Sequence, residues 1–134
     1  MDTNIVSEFM KLRPDGRIRR WYESVKDQKL YLSVITVGEI RKGIETAADG
    51  RRKENLDTWL RIEIPRMVDD HFLPVTRAIA ARWGRLLAHL PPDAPAVDAL
   101  LAATAIEHNL HLVTRNKKHF HFPGLLVVDP WDTN

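Results

Sequence analysis

The chain has no cysteine. Disulfides, thiol nucleophiles and thiolate metal sites are therefore excluded, and a reducing compartment is compatible with this composition. No apolar run approaches the roughly 18 residues that a membrane span needs. The opening residues, MDTNIVSE, are polar and acidic, so no secretory leader is visible there. Glycine is sparse, and Gly38 and Gly43 lack the spacing of a phosphate-cradling loop. Internal repeats, low-complexity tracts and Gly/Ser-rich linkers are missing too. Neither sign of charge dominates: 20 basic residues face 18 acidic ones, a net charge of +2 that by itself implies no polyanionic partner. What remains is ordinary globular composition, with 44% hydrophobic residues in a chain of 134, enough for one core. The expectation is a soluble cytoplasmic protein with a single domain over residues 1–134.

Apolar spacing organises the chain. Ile18, Trp21, Tyr22 and Val25 share one face of a helix over residues 17–27. LYLSVI (30–35) reads as a buried strand. Thr36 then opens a helix with Val37, Ile40 and Ile44 on one side, closed by Gly50. Leu56, Trp59 and Leu60 mark another helix, predicted to end before Pro65. HFLPV (71–75) is a short strand. Thr76 is placed to cap a helix with an apolar stripe of Ile79, Ala80, Trp83, Leu86, Leu87 and Leu90. After the PPDAP loop, VDALLAATAIEHN is apolar on nearly all sides, as a buried helix is. LHLVT (110–114) and LLVVD (125–129) are strands, separated by the turn RNKKHF and followed by the tail PWDTN. Strands alternating with helices, without tight hairpins, predict an α/β fold with a parallel sheet covered on both faces. The starting strand is nearly absent, because only Met1 precedes Asp2.

In such folds ligands bind beyond the carboxyl ends of the strands. Glu39 follows the strand at 30–35, and Asn116 follows the strand at 110–114. Asp2 stands at the end of whatever strand Met1 represents, and Asp98 lies in the first turns of the Ala-rich helix. Each has a bland explanation. Asp2 suits an N-cap, Thr36-x-x-Glu39 a capping box, Asp98 a helix dipole, and Asn116 a turn. Together they place three carboxylates and an amide at one sheet edge. Asp98 stands among apolar neighbours, where an unpaired carboxylate is costly unless a cation or a wet crevice relieves it. Hard oxygen donors without sulfur suit Mg²⁺ or Mn²⁺, and clustered carboxylates suit metal-assisted phosphoryl transfer.

MDTNIVSE, SVITVGEIRKGI, VDALLAATA, LVTRN and the closing VDPW, taken in order, resemble the successive motifs of the PIN domain. The likeness is greatest to VapC-type toxins of toxin–antitoxin pairs, the FitB-like group included. That resemblance implies a three-layer α/β/α sandwich on a parallel sheet, with a truncated first strand. It implies a Mg²⁺-dependent (or Mn²⁺-dependent) endoribonuclease that cuts RNA phosphodiesters, with tRNA among the candidate substrates. Asp2 and Asp98 would then share the metal, Glu39 would be the second acidic residue, and Asn116 would take the fourth position. Asn4 and Thr114 would hold the carboxylates by hydrogen bonds. The resemblance further implies a homodimer, a small antitoxin partner, DNA contact only through that antitoxin, and no membrane.

Two departures stand out. Relatives carry several apolar residues before the first Asp, so a late-called start is expected here. The segment after TRN turns toward an acidic residue in relatives, whereas here it reads KKHF, and His119 is a poor ligand for a hard cation. Arg115, Lys117 and Lys118 are candidates for RNA phosphate contact, as is the cluster Lys11, Arg13, Arg17, Arg19 and Arg20. His108, His111, His119 and His121 do not match a zinc pattern. The alternative function is a catalytically weakened PIN-fold module that binds RNA or an antitoxin. A receiver-like phosphoacceptor domain ranks last, because LYLSVITVG offers no acceptor Asp.

Overall fold

The computed structural model describes residues 1–11, 13–47 and 50–132, apart from the side chains of Thr3 and Asn4. Asn4 as a hydrogen-bonding support, Ala48 at the end of the second predicted helix, and the last two residues of the tail lie outside the described residues.

Asp2 caps α1 (Thr3–Phe9), its carboxylate accepting from the Ile5 N–H at 3.1 Å. Asp15 in turn caps α2 (Gly16–Val25). The chain then forms β1 (Leu32–Ser33) and α3 (Val34–Glu45). The predicted strand over 30–35 is thus cut to two residues, and Ser33 rather than Thr36 is the cap. Ser33 Oγ accepts from the Ile35 N–H at 3.1 Å and turns the chain into a helix against the β-branched preference of Val34, Ile35 and Thr36. The Thr36–Glu39 capping box does not form, because Thr36 is already buried inside α3.

Gly50 does not close that helix; it opens α4 (Gly50–Thr58). Nor does the helix stop before Pro65. It runs on through a π turn (Trp59–Glu63) into α5 (Ile64–Met67). The Ile64 N–H reaches back to the Trp59 carbonyl, one residue beyond the α-helical partner. This wider turn accommodates a proline that has no N–H of its own to give.

The remaining elements are β2 (Phe72–Leu73), α6 (Arg77–Ala88), α7 (Ala96–Glu107), β3 (His111–Val113), a 3₁₀ turn (Lys117–His119) and β4 (Leu126–Val128). Thr76 caps α6 as predicted, accepting from the Ile79 N–H. The α6 stripe is only partly buried: Ile79 is enclosed, Ala80 is exposed, and Leu90 falls beyond the helix end. α7 is enclosed along most of its length, from Ala99 to Ala105.

Two parallel pairs form, β1 with β2 and β3 with β4. The single continuous sheet of the prediction is therefore divided. Met1 and Asp2 bridge the halves: the Met1 amine donates to the Tyr31 carbonyl at 3.1 Å, and the Asp2 N–H donates to the Val113 carbonyl at 3.0 Å. One side of this layer carries a core in which Val6, Leu32, Ile40, Ile44 and Ile64 meet, and a second around Ile5, Ile18, Val113 and Trp131. On the other side Leu112 packs with Leu101, Ala102 and Ala105 of α7, and α6 covers α7 through Ile79. Neighbouring residues Leu112 and Val113 thus serve opposite faces, as strand alternation requires. Among the described residues no helix is long and apolar enough to cross a membrane.

α7 ends in a Schellman motif. Asn109 has a positive φ of 54°, its N–H bonds to the Ile106 carbonyl, and the Leu110 N–H reaches the Ala105 carbonyl at 2.8 Å. This cap turns the chain directly into β3. Asn109→Ala should cost about 1 kcal/mol, since a Cβ without a local polar partner is disfavoured there, and Asn109→Gly should cost less. Urea denaturation of the two variants checks the order, and equal midpoints would contradict it.

Candidate active site

Asp2 is only 4% exposed. One carboxylate oxygen is occupied by the cap of α1. The other accepts the Thr114 hydroxyl at 2.5 Å, from a residue 112 positions away. Thr114 is itself fully buried, and its N–H is tied to the Val128 carbonyl of β4. Its Oγ also accepts the Asn116 N–H at 3.0 Å. A relay of hydrogen bonds therefore runs from the exit of β3 to the start of α1 and holds the Asp2 carboxylate in one orientation. The cap that offered a bland reading of Asp2 does form, and the same carboxylate still faces the strand ends.

Asp98 lies in the first turn of α7, with its side chain 27% exposed. It is more open than its apolar sequence neighbours suggest, because α7 is entered from an exposed loop. Its carboxyl is pushed above the usual aspartate range. Partial burial is the main cause; a charged His119 opposes the shift, and the negative charges of Asp2 and Glu39 add to it. Glu39 is half-buried, near the middle of α3. Asp98 of α7 is thus close enough to Asp2 at the start of α1 and to Glu39 of α3 to feel both charges. Asn116 follows two residues after Thr114 and is half-buried at the same strand exit. Thr36, one helical turn before Glu39, has a buried hydroxyl that finds no hydrogen-bond partner among the described residues.

In the sequence His119 is a weak substitute for an acid and fits no zinc pattern. In the structure its Nδ1 lies 3.6 Å from an Asp98 oxygen, an ion pair whenever the imidazole is protonated. No local pattern announces this contact, because it depends on the 3₁₀ turn packing beside the start of α7. A second unannounced contact places the Arg115 guanidinium 4.6 Å above the Trp131 ring.

The basic candidates differ in their surroundings. Lys117 pairs with Asp132, Lys11 with Glu8, and Arg17 with Asp15. Lys118, Arg13, Arg19 and Arg20 are exposed. Among the described residues no three His, Asp or Glu side chains form a set that could enclose a metal. Mg²⁺ does not ask for such a cage, since it retains several waters and binds through one or two carboxylates. The Asp2 and Asp98 pair, with Glu39 nearby, matches that donor chemistry. Burial first, and the charges of Asp2 and Glu39 after it, raise the Asp98 carboxyl, and a divalent cation would favour its ionised form.

Comparison with known proteins bears on the fold and the family. The toxin FitB of Neisseria gonorrhoeae is 31% identical over 134 residues, which span 98% of this chain and 96% of that protein. The VapC ribonuclease Y4jK of Sinorhizobium fredii is 30% identical over the same share of each chain. A crystal structure of FitAcB from Neisseria gonorrhoeae superposes with a TM-score of 0.86, at 31% identity, over 97% of this chain and 96% of that one. The family model described as PIN domain matches residues 1–125. With the fold and nearly the whole length in agreement, the chain belongs to the PIN domain family.

Proposed function

We propose that this protein is a Mg²⁺-dependent endoribonuclease and serves as the toxin of a toxin–antitoxin pair. The observation that carries the reading is the approach of Asp2, at the start of α1, and Glu39, of α3, to Asp98 of α7, close enough for both charges to act on it. The names of the relatives, a toxin and a ribonuclease, support the same activity.

Asp2 and Asp98 would hold the ion, with the Thr114 hydroxyl fixing the Asp2 carboxylate for that role. When bound, a divalent ion lowers the pKa of a nearby water and offsets charge on the phosphate oxygens. Glu39 would orient the attacking water and take its proton. Asn116 completes the polar wall. Arg115, braced on Trp131, together with Lys117 and Lys118, would meet the phosphates flanking the scissile bond. Attack in line with the leaving oxygen then cleaves an RNA phosphodiester, with tRNA as the first substrate to try. The partner is a small antitoxin that covers the acidic site, through which any DNA contact is made, and the toxin works as a homodimer.

A second reading rests on His119, whose Nδ1 lies 3.6 Å from an Asp98 oxygen and which is a poor ligand for a hard cation. On that reading the fold binds RNA or antitoxin without efficient cleavage. Incubation of the purified protein with RNA and Mg²⁺, with and without EDTA, tests the proposal. Cleavage should require the metal and fall to background with chelator. Undiminished cutting in EDTA would overturn the metal assignment. Intact partner binding without metal binding at millimolar Mg²⁺ or Mn²⁺ would favour the second reading.

A further inference from the structure

The chain leaves β4 through Asp129-Pro130-Trp131-Asp132, and this turn is fixed at several points. Proline suits the second position of such a turn, and the Asp132 N–H closes it on the Asp129 carbonyl at 3.1 Å. The Asp129 carboxylate accepts the Trp131 N–H at 2.9 Å. The indole N–H donates to an Asp15 oxygen at 3.2 Å, at the cap of α2. Trp131 is 8% exposed and packs with Ile5, Phe9, Ile18 and Val113. Its ring is therefore held in one place, and the Arg115 guanidinium lies 4.6 Å from the ring centre.

Arg115 differs from the basic residues paired nearby. Lys117, Lys11 and Arg17 each face a carboxylate, whereas exposed Arg115 pairs with none among the described residues. Its guanidinium donates no hydrogen bond there either, so all five N–H donors stay uncommitted. An aromatic face attracts a cation without using those donors or cancelling the charge. A carboxylate partner would do both.

We infer that Trp131 is a positioning residue for RNA, holding the Arg115 guanidinium in place for a backbone phosphate beside the cleaved bond. This rests on the endoribonuclease reading, which supplies RNA as the polyanion. Arg115 stands in the chain between Thr114, whose hydroxyl bonds Asp2, and Asn116, whose N–H bonds Thr114. A phosphate bound by it is thus a neighbour of the acidic site. A free arginine arm would lose rotamer freedom on binding; one already held on a fixed ring loses less.

The test measures binding of a labelled single-stranded RNA in EDTA, over a salt series. Arg115→Ala should weaken binding roughly 10-fold and lower the salt slope by about 0.7, the value for one phosphate of a single strand. Trp131→Leu should weaken it roughly threefold, the range of an exposed cation–π contact, and Trp131→Phe should keep most of the affinity because a ring remains. In an Arg115→Ala background Trp131→Leu should cost no further affinity, although it still lowers Tm. Fluorinated tryptophan weakens the negative face of the ring at nearly constant shape, so it supplies the same comparison if Trp131→Leu does not fold. Additive losses, equal affinity throughout, or no RNA binding overturn the inference. So does tighter binding of polyglutamate than of RNA with the same dependence on Trp131, which would assign the contact to an acidic protein segment. Cleavage in Mg²⁺ combined with binding that ignores Trp131 overturns this inference and leaves the nuclease reading standing. Trp131-dependent binding in a protein that never cuts RNA does the reverse.

Discussion

Asp98→Asn is expected to reduce RNA cleavage by at least about 100-fold, because losing one anionic ligand weakens a stabilisation worth several kcal/mol. The same variant should be more stable than the unaltered protein at neutral pH and without metal. The sign follows from the raised Asp98 carboxyl. Between the unfolded aspartate value, about 3.9, and the higher folded value, the native state holds a proton that the unfolded chain has lost. Stability therefore falls as pH rises through that window, and the ionised form carries the penalty at pH 7. Asparagine is similar in shape and carries no charge beside Asp2 and Glu39, so the penalty disappears. Added Mg²⁺ should stabilise the unaltered protein and have less effect on the variant. Thermal melts over a pH series, paired with a cleavage assay, read both effects. Full activity in Asp98→Asn, or a lower Tm at pH 7 without metal, would sink the assignment.

Thr114→Val should have the largest effect on stability among conservative changes near the site. The methyl replaces the hydroxyl at almost constant volume, so packing against β4 is kept. Lost are the donor to a buried carboxylate oxygen of Asp2 and the acceptor for the Asn116 N–H. Removing one partner of a buried charged group costs about 2–3 kcal/mol, which in a domain of this size lowers Tm by roughly 10 °C. Metal affinity should drop 10- to 100-fold, in the range typical when a group that orients a ligand is lost. Thr114→Ser keeps the hydroxyl and should recover most of the metal affinity. If Val and Ser variants bind Mg²⁺ equally well, Thr114 is a packing residue and nothing more.

Much of the fold was legible because its signals are local. The Ala-rich helix at 96–107, the Thr76 cap and the strand at 111–113 depend on apolar period and on short-range donors and acceptors. The sequence misled where a nearby hydrogen bond or a long contact prevailed over propensity. Ser33 took the cap that Thr36 was assigned, and so shortened β1. A π turn carried the chain through Pro65, where propensity predicted a stop. Gly50 opened a helix instead of closing one, since a glycine signal alone does not say on which side of it the helix lies.

The sequence by itself determined the inventory: three carboxylates and an amide placed just past strands or at helix starts, no sulfur ligand, and enough apolar residues for helices on both sides of a parallel sheet. Tertiary structure alone decided which of these groups meet. The Thr114 hydroxyl reaches Asp2 across 112 residues, His119 settles beside Asp98, and the layer divides around Met1 and Asp2. The reason is physical: caps and apolar periodicity act within one or two turns, whereas the field of a carboxylate is set by how separate elements pack.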